Sequence, residues 1–379
     1  MLLRDLVIEN YRSFEKYKLD GLARVNLLVG DNNCGKTSVL EAGYLLTSSE
    51  PLDALLAITK LRGETGLLQE PPPAQQQMTA PTIDGLFFGR ALSPESKFAI
   101  NGGLNSLGEQ QRASFDAVIE DWRALELNVG ADQPNVPANA PWRCNLTWKY
   151  GAVGRSRRIW MASDGGLFTN LWSGGNGASF GPTPPARFHL SSEFVSLAGW
   201  DGKEIAQRWD AVVQSGERAD VVDRLRVLHP NIRDIVFLPT MIGVSKRLGG
   251  IMMELEGEKK PVPLNSLGDG SHRLLVMAIA LHSTARGTLF IDEIDTGLHY
   301  SKLSEMWRMV IKAASQLDVQ VFATSHSLDC LNGLSDCLQR DASLAEHVAV
   351  HRIERAIDEA VTLDGDAFVR AMDRDSEVR

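Results

Sequence analysis

The stretch GDNNCGKT, Gly30 to Thr37, sets two glycines around four residues and follows them with a lysine and a hydroxyl. It fits the pattern G-x-x-x-x-G-K-[ST] and lies between an apolar run, RVNLLVG, and a helix-forming segment, the context in which this pattern cradles phosphate. Glycines let the backbone curl so that successive N–H groups surround an anion. Lys36 is spaced to reach the β- and γ-oxygens of a nucleotide, and the Thr37 hydroxyl to bind Mg²⁺. The candidate cradle is therefore Gly30, Asn32, Asn33, Gly35, Lys36, Thr37 and Ser38. Cys34 stands at the same helix N-terminus, where a thiol pKa can fall. The simpler reading makes it a filler whose backbone alone serves.

A second chemical stretch, TLFIDEIDTGLH, is an apolar strand that ends in adjacent carboxylates. Asp292 suits the outer shell of a Mg²⁺ ion near Thr37, and Glu293 is placed to take a proton from an attacking water. VFATSHS puts His326 just past another buried strand. Finally, SLGDGSHRLL, residues 266 to 275, is a glycine-rich turn running into an apolar helix. The first N–H groups of a helix lack internal partners and favour anions, so Ser266, Gly268 and Gly270 form a second candidate phosphate turn.

These groups need a scaffold. LLRDLVIEN and SFEKYKLDGL alternate as strands, RVNLLVG reads as a buried strand, and helices begin at Lys36 and at PLDALLAITKLRG. Three stretches rich in proline, glycine or glutamine, QEPPPAQQQMTAPT, GADQPNVPANAP and SGGNGASFGPTPPA, read as loops. Between the last two lie strand candidates RCNLTWKY and RSRRIWMA. From Glu193 to about Leu228 the apolar spacing is helical; DIVFLPT and GIMMELEG return to strands. The last third alternates: helix 270–285, strand TLFID, helix near 300–315, strand VQVFATS, helix from Leu328. That rhythm predicts a layered α/β sheet. No repeat or sustained heptad is visible.

The 379 residues, 44% hydrophobic, suffice for one large or two modest domains. A net charge of −9 argues against a surface that coats nucleic acid. Cys34, Cys144, Cys330 and Cys337 have no zinc spacing, and no signal peptide or ~20-residue apolar span is expected, so the expectation is a soluble cytoplasmic protein. Other features read blandly. Asp364 and Asp366 in LDGDAF suggest a helix start rather than a metal-dependent nuclease motif. Arg155 and Arg157 of RSRRIW share a strand face and need not touch nucleic acid. His189, His229 and His282 lack ligand spacing, and Trp122, Trp142, Trp148 and Trp160 read as packing.

The order lysine loop, glycine turn, paired acids, strand-end histidine resembles the ABC-class ATPases, the group containing ABC transporter motors, SMC and RecF proteins, and OLD-like ATPases. DEIDTGLH is closest to the SMC and OLD-like members. IENYRSFEKYKLDGLARVNLLVGDNNCGKTSVLEA, RVLHPNIRDI, PLNSLGDGSHRLLVMAIAL and the terminal HRIER…DGDAF…EVR look like a subgroup of OLD-like bacterial ATPases of AAA type, weakly so from about residue 64 to 186. The resemblance implies an α/β P-loop NTPase of ABC-head type, binding ATP and Mg²⁺, with Lys36, Glu293 and His326 as catalytic residues. It implies a core at 1–63 and 229–379, a β-rich extension at 64–192 and a helical lid at 193–228, without a long coiled coil. It also implies that the glycine turn caps ATP held by a second copy, giving a head-to-tail homodimer or higher oligomer. Gly268 stands where the family has serine, Asp269 brings a carboxylate to the turn, and no glutamine marks a Q-loop. No TOPRIM domain is expected in the short tail after LDGDAF. The expected role is a switch in phage defence or DNA repair, with a TOPRIM-type nuclease or toxin in trans and DNA as a further partner. A nucleotide-gated scaffold that holds a toxin is the alternative, and a transporter motor the third.

Overall fold

The computed structural model describes residues 2–67, 79–106, 109–122, 140–168, 191–226, 229–237 and 250–374. Its centre is a six-stranded sheet in the order Ser192–Val195, Thr288–Ile291, Gln320–Thr324, Val25–Val29, Val348–Arg352 and Val361–Asp364. The first five strands are parallel and the last is antiparallel. Buried on both faces, these strands are continuous apolar runs, as parallel strands must be. Their alternation still sorts side chains into two cores. Val25, Leu27, Leu289, Ile291, Val321 and Ala323 face a helical layer formed by Asp269–Ser283, Leu303–Gln316 and Leu328–Arg340. Leu28, Phe290 and Phe322 face the other way.

On that second side the helix Lys36–Thr47 lies between the parallel sheet and a larger antiparallel one. Gly43 permits the approach, because a Cβ there would sit 2.7 Å from the Phe290 ring. Phe290 stacks on Phe322 at 5.2 Å. Burying one such ring stabilises the fold by about 1.5–3 kcal/mol. The antiparallel sheet runs Val153–Met161, Trp142–Tyr150, Glu109–Glu120, Lys97–Ser106, Leu6–Tyr11, Phe14–Leu19, with Leu2–Leu3 added beside Lys97–Ser106. Its strands thus come from both sides of residue 63. Gln320 rivets the two sheets: it accepts from the Leu3 N–H at 2.7 Å and donates to the Leu3 and Ala23 carbonyls at 2.8 and 2.9 Å.

Glu193 does not open a helix. Residues Ser192–Val195 form the edge strand of the parallel sheet, and the helical stretch begins at Gly202. There Asp201 accepts from the Glu204 N–H at 2.8 Å while Glu204 accepts from the Asp201 N–H at 2.9 Å, a capping box worth about 1 kcal/mol. A second helix, Arg218–Leu225, follows. The strands expected at RCNLTWKY and RSRRIWMA are present. The hairpin Lys97–Ser106 and Glu109–Glu120 is an addition. SGGNGASFGPTPPA, His189, the terminal EVR and most of GADQPNVPANAP and QEPPPAQQQMTAPT lie outside the described residues. The longest described helix has 15 residues, and none is long and apolar enough to cross a membrane.

Candidate active site and glycine turns

The parallel strands deliver their C-terminal ends to one edge, and the chemical residues gather there. Between the strand Val25–Val29 and its helix, Gly30 has φ 140° and Gly35 φ 109°. A Cβ on Gly35 would meet the Phe14 ring at 2.3 Å, and one on Gly30 the Ile353 carbonyl oxygen at 2.4 Å, so both positions demand glycine. Asn32 and Asn33 are exposed at the tip; Ser38 is buried in the helix. Lys36 is only 6% exposed, and its ammonium donates to the Gly30 and Asp31 carbonyls at 2.8 and 2.9 Å. Among the described residues it has no carboxylate partner. A buried cation so placed is costly until an anion joins it.

The Thr37 hydroxyl donates to Asp292 at 3.1 Å, and the Thr324 hydroxyl donates to the same carboxylate at 2.7 Å. Glu293 adopts the left-handed φ of 51°. Its N–H donates to Thr324 Oγ1 at 2.8 Å, and the following N–H, of Ile294, donates to the Thr324 carbonyl at 3.0 Å. The turn aims the carboxylate at His326, whose Nδ1 lies 2.7 Å from Glu293 Oε2. A carboxylate only accepts, so this nitrogen carries the proton. His326 is the more exposed of the two, 57% against 19%. These residues fit a nucleotide phosphate with Mg²⁺: a buried unpaired ammonium, a cradle that a Cβ would fill, and a hydroxyl–carboxylate pair in contact. Cys34, by contrast, is buried, and burial pushes its thiol up against the pull of Lys36. It is no reactive thiol.

Sequence reading overlooked Arg273. It is 5% exposed and donates to the carbonyls of Ser196, Asp292 and Glu293 at 2.9, 2.6 and 3.0 Å. Burial lowers its pKa, although a guanidinium remains charged. The available signal was an arginine directly before the apolar run LLVMAIAL of its helix. Thr324 was overlooked too. Ser196, just after the strand Ser192–Val195, contributes its carbonyl to this network.

The second glycine turn lies apart. No hydrogen bond joins it to the Gly30–Thr37 loop among the described residues. Leu264–Leu267 form a 3-10 turn, Gly268 (φ 93°) precedes the helix, and Ser266 is exposed. A Cβ on Gly268 would meet nothing within 4 Å, whereas one on Gly270 would sit 2.9 Å from the Gly297 carbonyl oxygen. Ser271 donates back to the Leu267 carbonyl at 3.0 Å, with His229 Nε2 2.8 Å from its hydroxyl. Burial, then Lys302, hold the His229 pKa below its ordinary value. The side chain of Asp269 lies outside what the structure describes.

The bland readings also find their places. Asp364 caps the helix Gly365–Asp373 by accepting from the Ala367 N–H at 2.7 Å. Arg155 faces Glu50 at 3.7 Å. His282 pairs with Glu217. Trp122 packs edge-on to Trp160 at 5.1 Å, and Trp148 is buried.

Comparison with known proteins finds similarity to ATPases. A family model described as an AAA domain, putative AbiEii toxin, Type IV TA system, matches residues 185–331, and an AAA ATPase domain model matches residues 1–77. The chain is 21% identical over 366 residues to an ATP/GTP phosphatase of Helicobacter pylori, a match spanning 89% of each chain. It is 48% identical over 46 residues to the DNA replication and repair protein RecF of Staphylococcus epidermidis, 12% of each chain. The SMC head domain from Thermotoga maritima superposes with a TM-score of 0.44 at 13% identity, covering 96% of this chain and 99% of that one. The two models mark AAA-type ATPase domains in this chain, and its mixed α/β fold is consistent with an ABC-class P-loop ATPase head.

Proposed function

We propose that this chain binds and hydrolyses ATP, and that two copies facing opposite ways complete two sites, each glycine turn at Gly268 capping nucleotide held by the other copy. The observation that carries this reading is the pairing of a built catalytic edge with a second anion-ready helix N-terminus that faces open space. Lys36 and the loop N–H groups hold the phosphates, and Thr37 with Asp292 would hold Mg²⁺. When bound, that ion neutralises charge developing on the phosphate oxygens. Glu293 accepts the proton of the attacking water, and His326 orients it by donating to Oε2. Arg273 keeps the backbone of both acids in place. The helices Gly202–Ser215 and Arg218–Leu225 serve as the lid on a core formed by 1–63 and 229–379 together with the edge strand Ser192–Val195.

The experiment is Glu293→Gln. Loss of a general base slows turnover by about 10²–10⁴-fold while nucleotide binding persists, so the variant accumulates as an ATP-bound dimer in size-exclusion chromatography. Normal turnover in this variant removes Glu293 from the mechanism. We further propose that opening and closing act on a cytoplasmic defence or repair process through a separately encoded effector, a nuclease or toxin. The toxin–antitoxin description of the model matching 185–331 also supports a nucleotide-gated scaffold with little turnover. A wild-type chain that binds ATP without hydrolysing it, with any ligand, favours that second reading.

A further inference from the structure

A groove of about 520 Å³ lies between the helix Arg218–Leu225 and the helix Leu303–Gln316. It is separate from the catalytic edge, because its residues Lys312, Gln316 and Leu317 precede the strand Gln320–Thr324 whereas His326 follows it. Arg224 lines it, and this arginine is unusual. Its Nη1 is buried without a hydrogen-bond partner, and among the described residues its guanidinium makes no ion pair. Burial lowers its pKa despite the fields of Asp220, Glu217 and Asp223. Across the groove Arg308 is exposed and likewise has no ion pair among the described residues. Lys312, by contrast, is engaged by Asp341 at 3.3 Å, and Asp223 by Arg226.

An Nη1 shielded from water without a hydrogen-bond partner destabilises the free chain, and the half-buried guanidinium that carries it presents a planar fork that matches a carboxylate. The floor beneath is apolar, with Met309, Ala313 and Leu317. The volume is that of a ligand site rather than of a single ion.

We propose that this groove binds an acidic polypeptide segment of a partner protein, with one carboxylate paired to Arg224 and a second reaching Arg308. Arg224 is held unpaired in the free chain so that the partner can pair it. The same lid region is tied to the glycine-turn helix through Glu217 and His282.

The test uses fluorescein-labelled hexaglutamate and the full chain, read by fluorescence polarisation. Wild type gives saturable binding, Arg224→Met weakens it at least tenfold and the surface variant Arg308→Ala severalfold, while binding of a fluorescent ATP analogue is unchanged in both. Without peptide, Arg224→Met melts at a higher temperature than wild type, because an unpaired buried charge has been replaced by an apolar chain of similar length. Absence of peptide binding by wild type, or equal binding by both variants, overturns the proposal. Displacement of the peptide by millimolar inorganic phosphate overturns the carboxylate assignment, and a lower melting temperature for Arg224→Met overturns the claim that its charge is unpaired.

Discussion

The two glycine-rich turns of this chain both open a helix, yet they are constrained in opposite ways. At Gly30 and Gly35 any added Cβ strikes the chain's own interior, the Ile353 carbonyl and the Phe14 ring. At Gly268 it strikes nothing, and Ser266 beside it is exposed. The first turn is finished within the fold. Among the described residues the second is braced by Gly270 against Gly297 and by the Ser271–His229 contact, and a Cβ on Gly268 would face open space. Rigid donors kept facing outward are suited to an anion delivered by another body.

The largest effect that tests this contrast is expected at Gly35. Gly35→Ala places a methyl inside the Phe14 ring, at a φ that an L side chain rarely adopts, so titration with a fluorescent ATP analogue should show no binding. Ordinary binding would mean that the loop is as unconstrained as the turn at Gly268. A smaller effect is expected at Ser266. Ser266→Glu adds a negative charge on the exposed turn and should leave nucleotide binding by the isolated chain intact. If the turn meets a γ-phosphate, turnover falls by about tenfold, corresponding to some 1.4 kcal/mol of repulsion in the transition state. A parallel loss of binding in dilute, monomeric protein would assign the turn to its own chain's nucleotide.

The smallest effect lies beneath the finished turn. His351 is buried between Thr362, 2.9 Å from Nδ1, and Asn26, 3.2 Å from Nε2, the latter on the strand that leads into the loop. Burial holds its pKa down at about 3, whereas in the unfolded chain it is about 6.5. Between those values the unfolded state binds one proton more, so stability falls as pH drops from about 6.5, by up to 1.4 kcal/mol per unit. Urea midpoints at pH 7.5 and 5.5 measure this, and His351→Gln should flatten the difference. An unchanged slope would move the pH sensitivity elsewhere.

The catalytic edge was legible in sequence because its chemistry is local: a loop of eight residues, two adjacent acids and a histidine, each beside a buried strand. Parts of the fold were not. The strand Lys97–Ser106, unassigned in the sequence reading, contains Gly102 and Gly103, residues that weaken a strand pattern. In the structure a Cβ at Gly102 would lie 2.7 Å from the Asp5 carbonyl oxygen, so the glycine marks a close crossing of strands rather than a loop. Ser192–Val195 is four residues long, too short for its period to register, and is a strand only because Thr288–Ile291 runs beside it. Arg273 was missed because its function is to accept no ligand and instead to hold carbonyls that sequence cannot reveal. The unpartnered state of Arg224 is likewise a property of packing alone.

The strand that leads into the nucleotide loop, Val25–Val29, is hydrogen-bonded on one side to Gln320–Thr324 and on the other to Val348–Arg352. During synthesis at about 5–20 residues per second, its first neighbour emerges roughly 15–60 s after it does. For that interval an apolar segment has two open hydrogen-bonding edges and no sheet to join, and the slow, non-local pairing that ends the wait is of the kind that limits folding rate. Truncation before residue 320 removes both neighbours of Val25–Val29 and should leave the chain aggregated rather than partly functional.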